Sequence, residues 1–156
     1  MRFGIAVVVC ASLLALWSCS PRQSRRDVPA PVRVEIRLAS SEPRPGFQGV
    51  SAGDAGEQLY VSPEVVISNE NILRTQVVKG PMGDPAVEIG FDSAGRKKFA
   101  DFTTAHVGDK AAIFVDGRLM SAMTIRDPVT GGATLITGDF TRARARELAK
   151  AIMAGK

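Results

Sequence analysis

Between Val32 and Leu38 the chain reads VRVEIRL, with apolar and charged side chains in strict alternation. A period of two puts Val32, Val34, Ile36 and Leu38 on one side of an extended strand. Arg33, Glu35 and Arg37 then share the opposite, polar side. The stretch from Ser40 to Glu57 holds Pro43, Pro45 and four glycines, which predicts a surface loop. Leu59-Tyr60-Val61 and Val65-Val66-Ile67 are two short apolar pieces broken by Ser62-Pro63, and Ser68 is placed to cap a turn running through Asn71. Ile72 to Lys79 and Ala86 to Phe91 are strand-like and flank Gly80-Pro81-Met82-Gly83-Asp84-Pro85, so they predict a hairpin with a stiff, Pro-bounded tip.

The period then changes. Asp92 or Ser93 caps a helix running to about His106, with Phe99, Phe102 and His106 on its inner face. Lys110 to Val115 and Arg118 to Ile125 flank Asp116-Gly117, a dipeptide that favours a two-residue hairpin turn. A turn over residues 127–132 leads to a last strand, Ala133 to Thr137. Thr141 caps a final helix whose Ala145, Leu148, Ala149 and Ile152 form a narrow apolar stripe. Strands joined by hairpins, with two helices among them, predict an α+β fold: a largely antiparallel sheet with two helices packed on one face. This domain occupies residues 32–156.

The N-terminus follows another logic. Arg2 precedes the uncharged apolar run FGIAVVVCASLLALW from Phe3 to Trp17. That run is shorter than the roughly 20 residues of a permanent span and reads as an export signal over residues 1–18, the alternatives being an uncleaved anchor or a buried core segment. Leu16-Trp17-Ser18-Cys19 is similar to a lipobox, which makes Cys19 the lipidation site and the first mature residue. Ordinary cleavage after a small-x-small pattern fits worse, because it would leave Pro21 just beyond the cut. A disulfide between Cys10 and Cys19 is rejected, since Cys10 lies inside the signal and leaves with it. Residues 19–31 are polar, contain proline and carry Arg22, Arg25 and Arg26, so they form a tether. The expected attachment is to a membrane through the acyl anchor, with no span.

Composition excludes more than it assigns. Hydrophobic residues make up 45% and charged residues 23% of the 156, which is ordinary globular usage. The net charge of +4 is concentrated at the end, where five basic side chains and one Glu follow Thr141. Arg142, Arg146 and Lys150 recur every four residues and form a basic stripe, either a solvated face or a contact for anionic lipid or an acidic partner. Export and the lack of aromatic side chains among these cations argue against nucleic acid.

Chemical motifs are absent. The single histidine, His106, lies on an apolar helix face with no Cys or second His at ligand spacing, so no metal is expected. There is no G-x-S-x-G elbow, G-x-G-x-x-G turn or P-loop, so no catalytic residue and no cofactor is expected. Asp109, Asp116, Asp127 and Asp139 sit at turn ends, where a short carboxylate commonly bonds the backbone.

Four stretches carry a resemblance: YVSPEVVISNENI (60–72), VVKGPMGDPAVEIGFDSAGRKKFADFT (77–103), VGDKAAIFVDGRLMSAMTIRDPVTGGATLITGDFT (107–141) and ELAKAIMAG (147–155). From Leu59 to Gly155 the chain resembles the head of the first periplasmic domain of SecD, in the SecDF family associated with the Sec translocon. The resemblance implies a domain that contacts polypeptide or envelope proteins, and it brings no catalytic residues. SecD also has a transmembrane bundle thought to couple proton flow to export. No apolar run after Cys19 approaches span length, so that motor is not implied here. The base of the periplasmic domain is expected to be absent or reduced to the strand at 32–38.

The expectation is a non-enzymatic, periplasm-facing lipoprotein that binds exported polypeptide or Sec or envelope proteins. The alternative is a structural or ligand-binding envelope lipoprotein unrelated to secretion. The candidate contacts are Gly83 and Asp84 at one hairpin tip, Asp116 and Gly117 at another, and Arg142, Arg146 and Lys150.

Overall fold

The computed structural model describes residues 30–52 and 57–156, and among these the chain forms eight strands and two helices. The expected export signal, the lipobox at Cys19 and the tether up to residue 29 lie outside the described residues. In chain order the elements are β1 (Val34–Ser40), β2 (Gln48–Ala52), β3 (Glu57–Ser68), a 3-10 turn (Asn69–Asn71), β4 (Ile72–Lys79) and β5 (Pro85–Phe91). There follow α1 (Ser93–Ala105), β6 (Lys110–Val115), β7 (Arg118–Thr124), β8 (Ala133–Ile136) and α2 (Arg142–Ala154).

The α+β class holds, with every strand pair antiparallel, but the strands divide between two sheets. One has five strands in the order β2-β3-β1-β6-β7, and the other three in the order β4-β5-β8. The turn at Asn69–Asn71 carries the chain from the first sheet to the second. Helix α2 packs on β4 and β5, while α1 packs against β3 and β5. One apolar core serves both layers: Ile36 and Ile113 from the larger sheet meet Val87 and Ile89 from the smaller, Phe99 from α1 and Ile152 from α2. Fully burying an Ile or Phe side chain contributes on the order of 1.5–3 kcal/mol, so this shared core is the main stabilising element.

Two expectations about strands change. The predicted loop from Ser40 to Glu57 contains strand β2, which pairs with β3 from Gln48↔Val61 to Ala52↔Glu57. Its sequence QGVSA has low intrinsic strand preference, so partner geometry decides its conformation. The two pieces on either side of Ser62-Pro63 are one continuous strand. The register with β1 steps from Ile36↔Ile67 through Arg37↔Val65 to Ala39↔Val61, so β3 carries extra residues opposite β1. Pro63 falls in that bulged interval, where its missing N–H removes no ladder bond.

A third correction concerns Glu35. Alternation places it on a polar face, yet it is only 6% exposed. The reason is curvature. The outermost strands β2 and β7 approach within 8 Å at their Cα atoms, so the five-stranded sheet rolls up. Its inner surface encloses a second small core of Ala39, Val61, Ala112 and Phe114, with Val50 of β2 and Leu119 of β7 against it. Glu35 shares this concave side and is held between two guanidinium groups, Arg33 Nε at 2.7 Å and Arg37 Nε at 3.0 Å. The Arg37 guanidinium also lies over the Phe114 ring, 5.7 Å from its centroid.

Asn69 ties the two ends of the domain together. Its Oδ1 accepts from Val34 N (2.6 Å), and its Nδ2 donates to Val32 O (2.9 Å) and Ile152 O (3.3 Å). Substituting Asn69→Ala removes the side-chain acceptor of the buried Val34 N and the donor to Val32 O, while Ile152 O keeps Gly155 N, and should lower stability by about 2–3 kcal/mol in urea unfolding. Asn69→Asp should not restore it, because a carboxylate oxygen would face two carbonyl oxygens.

Candidate functional site

The tip between β4 and β5 is built by tight backbone bonding. Gly80 N donates to Asp84 O (2.7 Å) and Gly83 N to Gly80 O (3.0 Å), with Gly83 at φ +94°, a conformation glycine adopts without steric cost. Met82 stands out from this tip at 92% exposure. Beneath it, Val77 pairs with Val87 and Lys79 with Pro85, so these four residues share the face that looks toward the core. Val87 is fully buried there.

Helix α2 lies against that face. Thr141 caps it, its side chain accepting from Arg144 N at 3.2 Å. Ala145, Ala149 and Ile152 are buried and Leu148 is packed against the same core, as the apolar stripe predicts. Thr75 Oγ1 of β4 donates to Ala149 O (2.9 Å), which aligns strand and helix. The N-terminal end of α2 therefore comes to the hairpin tip.

Between them opens a groove of about 400 Å³. Lys79 and Gly83 line it from the hairpin, Arg142 and Arg146 from α2, and Val77, Val78 and Pro85 complete it. The structure thus unites three expected contact residues, Gly83, Arg142 and Arg146, from distant parts of the sequence. Lys79 was missed. Its signal was available in the alternation of β4, which puts it on the same side as Val77. Lys150 is exposed one turn beyond Arg146 and does not line the groove. Asp84 faces a different cavity of about 210 Å³, together with Met82, Thr137 and Asp139.

Asp116 and Gly117 are in the other sheet, at the β6–β7 turn, with φ values of 49° and 75°. Asp116 Oδ1 accepts from Arg33 N (2.8 Å) and Asp116 N donates to Arg33 O (2.8 Å), so this aspartate holds the start of β1. Gly117 is open around its Cα.

His106 follows α1, with its ring 5.2 Å from that of Phe102 and its Nδ1 3.5 Å from Asp109 Oδ2. Arg44 clamps the same carboxylate with both terminal nitrogens, one of them at 3.1 Å from Oδ2. The Arg44 hydrogen bond, aided by its charge and by His106, holds the Asp109 carboxyl below the usual range despite partial desolvation. Among the described residues no three His, Cys, Asp or Glu side chains gather as a metal site would require.

Two antiparallel sheets sharing one core, with projecting turns and a cationic groove, define an α+β module. Residues 47–156 match the family model of the SecDF P1 head subdomain, and the chain belongs to that family. It is 34% identical over 112 residues to protein translocase subunit SecD of Magnetococcus marinus, covering 70% of this chain and 21% of that protein. It is 39% identical over 112 residues to SecD of Thermobaculum terrenum, covering 71% and 22%. The chain spans about a fifth of the length of these relatives. The crystal structure of SecDF in its super-membrane-facing form superposes with a TM-score of 0.67 at 23% identity, over 81% of this chain and 19% of that one, which shows the shared fold. Strand β1 precedes the matched residues yet is the central strand of its sheet.

The Asp109 clamp gives a pH dependence of defined sign. A carboxyl whose folded pKa is lowered stabilises the fold above the unfolded value, near about 4. That contribution is lost as pH falls through the lower folded value. Asp109→Asn should therefore flatten the acid side of a stability–pH curve and reduce stability at neutral pH, as followed by thermal melting from pH 7 to 2.

Proposed function

We propose that this chain is a non-enzymatic envelope protein that contacts polypeptides during export, held to a membrane by acylation of Cys19 and facing the periplasm. Family membership over residues 47–156 is the observation that carries this reading. The relatives are named as protein translocase subunits, and a solved relative of similar fold is described as a membrane component that enhances protein export. Among the described residues no helix is long and apolar enough to cross a membrane; this reading puts the attachment on the lipid at Cys19. The contact surface comprises the β4–β5 tip at Gly83 and Asp84, the β6–β7 tip at Asp116 and Gly117, and the α2 stripe of Arg142, Arg146 and Lys150. Partners are exported chains or Sec and envelope proteins, and no cofactor takes part.

Photocrosslinking residues placed at the exposed Met82 and Arg118, beside the two turn glycines, in intact cells should capture exported chains or Sec components, identified by mass spectrometry. Recovery of neither would count against the reading, and so would a deletion strain with a normal secretome and a defective envelope. Cys19→Ser should move the protein from the membrane fraction to the soluble one and abolish incorporation of labelled fatty acid.

A further inference from the structure

Lys79, Arg142 and Arg146 converge on one groove, and none makes an ion pair with another described residue. Like charges gathered without counter-charge destabilise one another, and their field draws in an anion. The spacing of the cations indicates its form. Along α2 the rise is about 1.5 Å per residue, so Arg142, Arg146 and Lys150 succeed one another at about 6 Å. In an extended chain, side chains on one face recur at about 6.6–6.8 Å. An extended segment lying along the flank of α2 would thus offer every second side chain to successive cations.

The strand beside the helix suits the same ligand. β4 is an edge strand of the three-stranded sheet, so one side of its backbone is without a strand partner. Val78 of this edge strand also lines the groove, although alternation turns its side chain to the opposite face from Val77. An added strand can bond there while Val77 and Pro85 receive the aliphatic stems of its side chains. A membrane headgroup fits less well, because it would engage the arginines and leave the backbone edge of β4 unused.

We infer that the groove takes an extended polypeptide segment with acidic side chains at alternate positions, their carboxylates seated on Arg142 and Arg146, with Lys79 and Lys150 extending the contact at either end. This rests on the polypeptide-binding reading above and names the class of segment recognised. Across the tip, Asp84 and Asp139 line the neighbouring cavity and repel such a segment, so it is guided to one side of the hairpin.

The test uses the full chain purified in detergent and fluorescent peptides in which Thr alternates with Glu, Gln or Lys. The Glu peptide should bind, the Gln peptide at least about fivefold more weakly, and added salt should weaken the Glu peptide steeply. R142Q/R146Q should lose the Glu preference while K98Q, on the exposed face of α1, keeps it. R142E/R146E should instead gain affinity for the Lys peptide, which keeps the test decisive should the neutral variant fold poorly. Equal binding of Glu and Gln peptides by the wild type would overturn the inference. Binding of phosphatidylglycerol vesicles or inorganic phosphate through the same arginines, without peptide affinity, would also overturn it. Should R142Q/R146Q still crosslink exported chains in cells while the peptides show no charge preference, acidic selectivity falls and polypeptide binding stands.

Discussion

A buried side-chain amide holds the architecture in place. Asn69 sits in the turn that passes the chain between the two sheets, and its amide reaches the backbone at the start of β1 and at the last turn of α2. At the end of α2 the Ile152 carbonyl accepts from Gly155 N (3.2 Å), and Asn69 adds a second donor to it from outside the helix. Val32 N donates to Ala151 O at 3.2 Å beside it. The approach is so close that a Cβ on Gly155 would stand 2.4 Å from Val32 O. With its C-terminal end held there and its middle bonded to Thr75, α2 has little freedom to slide. Its first turn is thereby set against the β4–β5 tip, and the shape of the cationic groove follows.

The two sheets treat their edges differently. In the larger one Ala39 and Ala112 are small enough for the sheet to curl around Phe114, bringing β2 and β7 together. Exposed strand edges invite pairing with other chains, and this curl reduces that exposure. The smaller sheet does not close, and β4 is left at its margin next to the arginines of α2. One of the two open edges of this sheet thus lies where the charge is concentrated, and β8 forms the other.

Charge along the chain reinforces this division. The final helix carries much of the net positive charge, and its Arg142 and Arg146 face a groove with no acidic side chain among its lining residues. Elsewhere cations are used internally. Arg33 and Arg37 compensate the buried Glu35, and Arg44 holds Asp109. Arginines with structural duties and arginines available to a partner thus occupy different faces of the domain.

Local signals along the chain were enough to define the hairpins, both helices and their caps. Asp92 and Thr141 each accept from a backbone N–H three residues on, and Asp116-Gly117 makes the tight turn through its own backbone angles, although the Asp116 carboxylate reaches Arg33 far away in the chain. The α2 stripe and the β4–β5 tip were legible for the same reason. Periodicity carries no information about curvature, so it put Glu35 on the face opposite Ile36 without showing the second core that closes over that face. It also read β2 as a loop, because QGVSA becomes a strand only once β3 lies alongside. Arg142 and Arg146 could be named from the sequence as a stripe, whereas their meeting with Lys79 and Gly83 depends on how α2 crosses β4. That crossing is decided by long-range bonds from Asn69 and Thr75, whose partners lie 83 and 74 residues away in the chain.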